Sequence, residues 1–189
     1  MSVRRITVLQ EPAQATQALE AVARAAAALE AELTGLFVED VELLHFAALP
    51  FAREIGAFSV QALDVPTMER RLRYQAEEAR RALAAAVEGK PLRWSFRIER
   101  GSLPAQVRSA LADADLVVLL GGRGGRLPRR AAALLSAVEL PREVDTALQR
   151  LARSLAGDLY RVRPSEGEEV LARLLRELWR GGAGRGWEA

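Results

Sequence analysis

Apolar and polar residues follow two alternating rhythms along this chain, one of short apolar runs and one of stripes recurring every three to four residues. The run 6–9 is apolar, rich in β-branched residues and bounded by Glu11-Pro12. It predicts a strand handing over to a helix, because proline suits the first helical turn, where its missing N–H is not needed. Ala15, Leu19, Val22, Ala26 and Leu29 then form one buried stripe, with Glu20, Arg24 and Glu30 off it, and the run 33–38 reads as a second strand closed by Glu39-Asp40. A short helix over 42–49 is expected next, followed by an extended stretch through Phe51 and Phe58, since Pro50 interrupts any longer helix.

From about Pro66 to Val87 the residues Met68, Leu72, Ala76, Ala79, Leu83 and Val87 mark one face of a long helix that Gly89 ends. Trp94, Phe96 and Ile98 alternate with Ser95, Arg97 and Glu99, the two-residue period of a strand open to solvent on one side and a candidate for a sheet edge. Ser102 is placed to cap a short helix carrying Val107, Ala110 and Leu111, and the run 116–120 is wholly apolar, as befits a strand covered on both faces. A further strand over 131–138 and a helix opening at Pro141, with Val144, Leu148, Leu151 and Leu155 inward, are followed by a strand over 159–162. Ser165 and Glu168 form a capping box for a last helix over 168–179, and 181–189 reads as a flexible tail. Strands alternating with helices at these lengths imply right-handed crossovers and an α/β fold: a three-layer sandwich around a mostly parallel twisted sheet.

The spacing Ala18-Leu19, Val22-Ala23-Arg24 returns as Ala147-Leu148, Leu151-Ala152-Arg153, each stretch leading through a small loop to a strand. This suggests a partial internal repeat. The organisation expected is a first unit over 1–127, a degenerate second unit over 128–180 packed on or extending the same sheet, and the tail.

Composition narrows the function classes. At 189 residues, half of them apolar, the chain can bury one substantial core. The net charge of +2 does not describe a basic surface seeking nucleic acid, and the near-absence of lysine beside many arginines reads first as composition bias. No segment reaches the roughly 20 apolar residues of a membrane span and no signal peptide opens the chain, so a cytoplasmic, membrane-free protein is expected. Without cysteine and with His45 as the single histidine, neither a nucleophile–base triad nor a Cys/His metal site can be assembled. No catalytic residue and no metal ligand can be named, so the chain is read as non-enzymatic. His45 is read as a surface or interface residue, and Glu39-Asp40 as a solvated loop before a magnesium site. Trp94 and Phe96 are read as core or dimer contacts, and the apolar segment Leu43 to Phe58, within the apolar-rich stretch 41–63, as a lid over the sheet's ligand edge or a subunit contact.

One loop carries a chemical case. Gly121, Gly122, Arg123, Gly124 and Gly125 follow a buried strand, and glycines at the carboxyl end of such a strand let backbone N–H groups approach an anion. Arg123 and Arg126 add charge for a phosphate. A plain exposed turn explains the same residues, and no helix is expected after the loop, since Pro128, Arg129 and Arg130 lead into a strand.

The opening strand into an alanine-rich helix, Glu-Leu-Thr-Gly-Leu-Phe-Val-Glu-Asp at 32–40, Arg-Gly-Ser-Leu-Pro-Ala at 100–105 and Ala-Asp-Leu-Val-Val-Leu-Leu-Gly-Gly-Arg-Gly at 114–124 together resemble the universal stress protein family. The resemblance implies an adenine-nucleotide alpha-hydrolase-like topology, a homodimeric regulatory role in stress response, and ATP or another adenine nucleotide as ligand. It places the phosphates at Gly121, Gly122, Arg123 and Gly124 and the nucleoside at Gln10, Glu11 and Val38. Gly121 and Gly124 match the first half of the family's nucleotide motif; the second half, a Gly-Ser or Gly-Thr pair, would fall on Leu134 and Leu135. Gln10 stands where the family has an acidic residue. The loop is therefore half of a nucleotide loop, and a ligand smaller or looser than a triphosphate is expected.

Overall fold

The computed structural model describes residues 3–10, 16–49, 53–55, 60–62, 64–120, 132–136, 140–155 and 158–161. Six strands form one sheet: β1 (Arg5–Gln10), β2 (Glu32–Asp40), β5 (Trp94–Gly101), β6 (Leu116–Leu120), β7 (Ala132–Ser136) and β8 (Asp158–Arg161), in the order β5-β2-β1-β6-β7-β8. Helices α1 (Thr16–Ala28), α2 (Val41–Ala47), α3 (Val65–Val87), α4 (Leu103–Asp113) and α5 (Arg142–Ser154) complete the α/β sandwich, and β3 (Arg53–Ile55) with β4 (Val60–Ala62) makes a separate antiparallel pair in the stretch expected to be extended.

Alternation along the strands decides which helix covers which face. Ile6, Val8, Leu33, Leu116 and Val118 meet Leu19, Val22 and Ala26 of α1, Leu83 and Ala86 of α3, and Leu148 and Ala152 of α5. Leu9, Leu36, Val38, Val117, Leu119 and Leu135 point the other way, onto Val107, Ala110 and Leu111 of α4. A fully buried leucine such as Leu36 or Leu119 contributes about 1.5–3 kcal/mol by leaving water, so both layers are needed to hold a sheet this apolar.

The four strands β5, β2, β1 and β6 are mutually parallel. β6 and β7 pair antiparallel, whereas β7 and β8 are again parallel to each other. The sheet is thus mostly parallel, with one reversal. The connection between β6 and β7, residues 121–131, is eleven residues long, at the lower limit of a parallel crossover. The stretch α5 with β7 and β8 repeats the local topology of α1 with β1 and β2, a parallel pair bridged by a helix, and α1 and α5 share one core.

Two further expectations meet a different structure. Asp40 and Glu39 are the last residues of β2 rather than a loop: Asp40 is buried and caps α2, its carboxylate accepting from the Glu42 N–H at 2.9 Å. Trp94 and Ile98, expected on the covered face of their strand, remain 37% and 51% exposed, while Phe96 is partly buried against α3. β5 is an edge strand, and α3, lying against β2 and β5, covers Phe96 but leaves Trp94 and Ile98 exposed. The helix expected over 168–179 and the tail lie outside the described residues.

The long helix α3 shows why its sequence folds locally. Asp64 accepts from the Thr67 N–H at 2.7 Å and Pro66 occupies the first turn, satisfying or removing donors that the helix cannot use. On its outer face Glu77 accepts from Arg80 through both oxygens (2.9 and 2.8 Å) and from Arg81 at 3.0 Å. The Arg80 hydrogen bond is the main reason the Glu77 carboxyl falls from its ordinary 4.5 to about 2. A carboxyl depressed in the folded state stabilises fully above about pH 4.5, and that contribution is lost as pH falls towards 2. Glu77→Gln is accordingly expected to flatten the loss of helix between pH 4.5 and 2, followed by far-ultraviolet circular dichroism at low salt; superimposable acid titrations of the two proteins would exclude the contribution.

Candidate functional site

The strand order contains one topological switch. From β1 the chain moves by α1 to β2 on one side, and from β5 by α4 across to β6 on the other, so the connections after β1 and after β6 depart in opposite directions. Crevices at such points, outside the carboxyl ends of the strands, are where open α/β sheets bind ligands. Gln10 and Leu120, the terminal residues of β1 and β6, are register partners across this switch. The backbone therefore places Leu120, the last described residue before the glycine-rich run, beside Gln10.

Gln10 is the chemically notable residue. The residue is 2% exposed and its Nε2 has no hydrogen-bond partner. A buried amide donor left unmatched costs about 1–3 kcal/mol, which makes it unusual in a strand end otherwise built from Ile6, Val8 and Leu9. Its position depends on Gly35 of β2. A Cβ built there would lie 3.3 Å from Gln10 Nε2, 2.7 Å from a Phe96 ring carbon and 2.5 Å from Leu83 Cδ2. Three side chains thus converge on space that only glycine leaves free. The sequence signal for this was available, since a glycine inside an apolar strand marks a close approach, but Gly35 was not among the expected site residues.

Val38 also lies near the carboxyl end of β2, yet its side chain is buried in the layer beneath the sheet, with Leu9 and Val107. Gln10 belongs to the opposite face, so the two side chains do not meet and only the Val38 backbone is shared with the rim. Glu11, Gly121, Gly122, Arg123 and Gly124 lie outside the described residues. Positions 134 and 135, where the second half of the nucleotide motif would fall, are inside β7 and paired with β6 and β8.

Beyond the switch, the rim is closed by charge. Arg100 at the end of β5 donates from Nε and Nη2 to Glu39 at 3.1 and 3.0 Å and approaches Glu69 of α3 at 3.9 Å. The arginine is half exposed, so this is a positioning contact of modest energy. His45 is exposed on α2. Among the described residues no group of three or more His, Asp or Glu side chains could hold a metal ion, and no helix is long and apolar enough to cross a membrane.

No protein-family model matches this sequence, and no curated protein matches it. Similar solved structures exist. A universal stress protein from Lactobacillus plantarum superposes with a TM-score of 0.44 at 15% identity, covering 86% of this chain and 99% of its own. A universal stress protein family member from Burkholderia pseudomallei gives 0.41 at 15% identity, covering 85% and 96%. A universal stress protein in complex with cAMP gives 0.40 at 13% identity, covering 87% and 100%.

Proposed function

We propose that this chain is a ligand-binding regulatory module of the universal stress protein kind, taking an adenine nucleotide, ATP or AMP, or a smaller phosphorylated analogue at the switch between β1 and β6. The observation that carries this reading is the orphaned amide of Gln10. A buried N–H donor without a partner is costly in the empty protein and is matched once a ligand acceptor reaches it. In this reading Gln10 donates to the ligand, the backbone N–H groups of Gly121, Gly122 and Gly124 with Arg123 hold its phosphate, and Glu11 with the backbone of Val38 borders the nucleoside. Nothing in the set is a nucleophile or a paired acid and base, so binding rather than turnover is its chemistry. A cytoplasmic, homodimeric protein and no metal belong to the same reading. Residues 1–127 form the ligand-bearing unit and 128–180 a reduced second one, supported by the repeated helix-bridged parallel pair.

A second reading keeps the regulatory role and discards the nucleotide. It draws on Leu134 and Leu135, which sit in strand register where the motif requires a Gly-Ser or Gly-Thr pair.

Thermal unfolding with and without nucleotide separates the two. A ligand at 100 times its Kd stabilises by about 2.7 kcal/mol, so ATP with Mg²⁺, or AMP, is expected to raise the unfolding midpoint. An unchanged midpoint at millimolar nucleotide would leave only the second reading.

A further inference from the structure

We propose that the Gln10 side chain is a two-position switch, which lies back over Gly35 and turns out to the rim to meet a ligand, passing occupancy on to α3 and to the edge strand β5. The switch rests on the ligand reading above and gives that site its regulation.

The direction of the side chain is the starting point. Gly35 pairs with Val8 rather than with the strand end, and Gln10 Nε2 lies 3.3 Å from the place of a Gly35 Cβ. The amide therefore points back along the sheet, away from the carboxyl rim and in beneath α3. It is buried there with no acceptor, and a donor held in that way is costly. What the inward position supplies is volume. Leu83 Cδ2 and a Phe96 ring carbon close on the same space, 2.5 and 2.7 Å from the same point, and protein interiors leave few voids. The amide fills a gap that glycine leaves open.

Filling and hydrogen bonding thus favour opposite positions. Without an acceptor at the rim, packing holds the amide inward. An acceptor between the ends of β1 and β6 adds a hydrogen bond that only the outward position can make, and a ligand shifts an equilibrium only by such a difference. Once the amide has left, Leu83 and Phe96 are the side chains placed to close the gap. Leu83 belongs to α3, and Phe96 packs both on the main core and on the smaller core that α2 and α3 share with Phe37. Phe96 also stands between Trp94 and Ile98, whose side chains are exposed on β5. Occupancy at the strand ends reaches the outer surface through three side chains.

Nuclear magnetic resonance and calorimetric titration test the switch. Without nucleotide, the Gln10 side-chain amide protons are expected to show a strong Overhauser contact to the Gly35 Hα protons, and ATP with Mg²⁺ is expected to remove it. Gly35→Ala is expected to bind nucleotide about fivefold tighter or more, because Leu83 and Phe96 can yield to the methyl group only when the amide is out. Should that variant not fold, the Overhauser contact alone decides. A parent without the contact, a parent that binds nucleotide and keeps it, or a folded Gly35→Ala that binds no tighter overturns the switch and leaves the ligand site standing. A parent that binds no nucleotide overturns both.

Discussion

Alanine at position 35 is expected to destabilise the fold by about 1–3 kcal/mol, the usual cost of forcing a methyl group into a packed core. The added Cβ would stand 2.5 Å from Leu83 Cδ2 and 2.7 Å from a Phe96 carbon, and Leu83 is wholly buried. Leu83→Ala alone is expected to cost more, about 2–5 kcal/mol, through lost burial and the cavity left behind. The two changes act on the same space, so their combination should cost clearly less than the sum, with a coupling of about 0.5–3 kcal/mol. Urea midpoints of the parent, the two single variants and the double variant measure this. Strict additivity would mean that α3 and β2 accommodate the methyl by another route, and that Gly35 is not what sets their separation.

Gln10→Leu should stabilise the ligand-free protein by about 1–3 kcal/mol, because a side chain of similar size then replaces a buried donor that has no acceptor. The same change should abolish the nucleotide-dependent rise in unfolding midpoint, which makes one residue responsible for opposite effects on stability and binding. Denaturation of parent and variant, each with and without ATP and Mg²⁺, reads both. A variant less stable than its parent would show that the amide is satisfied in the native protein, removing the main support for a ligand there. A variant that keeps the nucleotide response would place the binding contact elsewhere.

The order of strands and helices was legible in the sequence because apolar period and turn residues agree along most of its length. The stripe from Met68 to Val87 is the clearest case, with Pro66 starting the helix and Gly89 following it. Strand direction at β7 was not legible, because an apolar run such as 132–136 has no polarity of its own and a connection of eleven residues before it fits either direction. The exposure of Trp94 and Ile98 was misjudged for a related reason: alternation identifies a shared face but not whether a helix extends over it. At the site, Gln10 entered only through the family resemblance, and its register with Leu120 of β6 became visible once the strands were paired. Neither the lack of a partner at Gln10 nor the gap at Gly35 could be read before the strands were in register, since both depend on residues that meet only in the sheet and on α3.

The single reversal between β6 and β7 also divides the molecule's surface. The carboxyl ends of β1, β2, β5 and β6 open on one rim, and those of β7 and β8 open on the other, beside the beginnings of β1 and β6 where Asp115 receives the Arg4 and Arg5 N–H groups at 2.8 and 3.0 Å. A loop grafted, lengthened or mutated after β7 therefore works on the far side of the sheet from Gln10. The sheet therefore has two rims, and a change to a loop on one leaves the strand ends of the other in place.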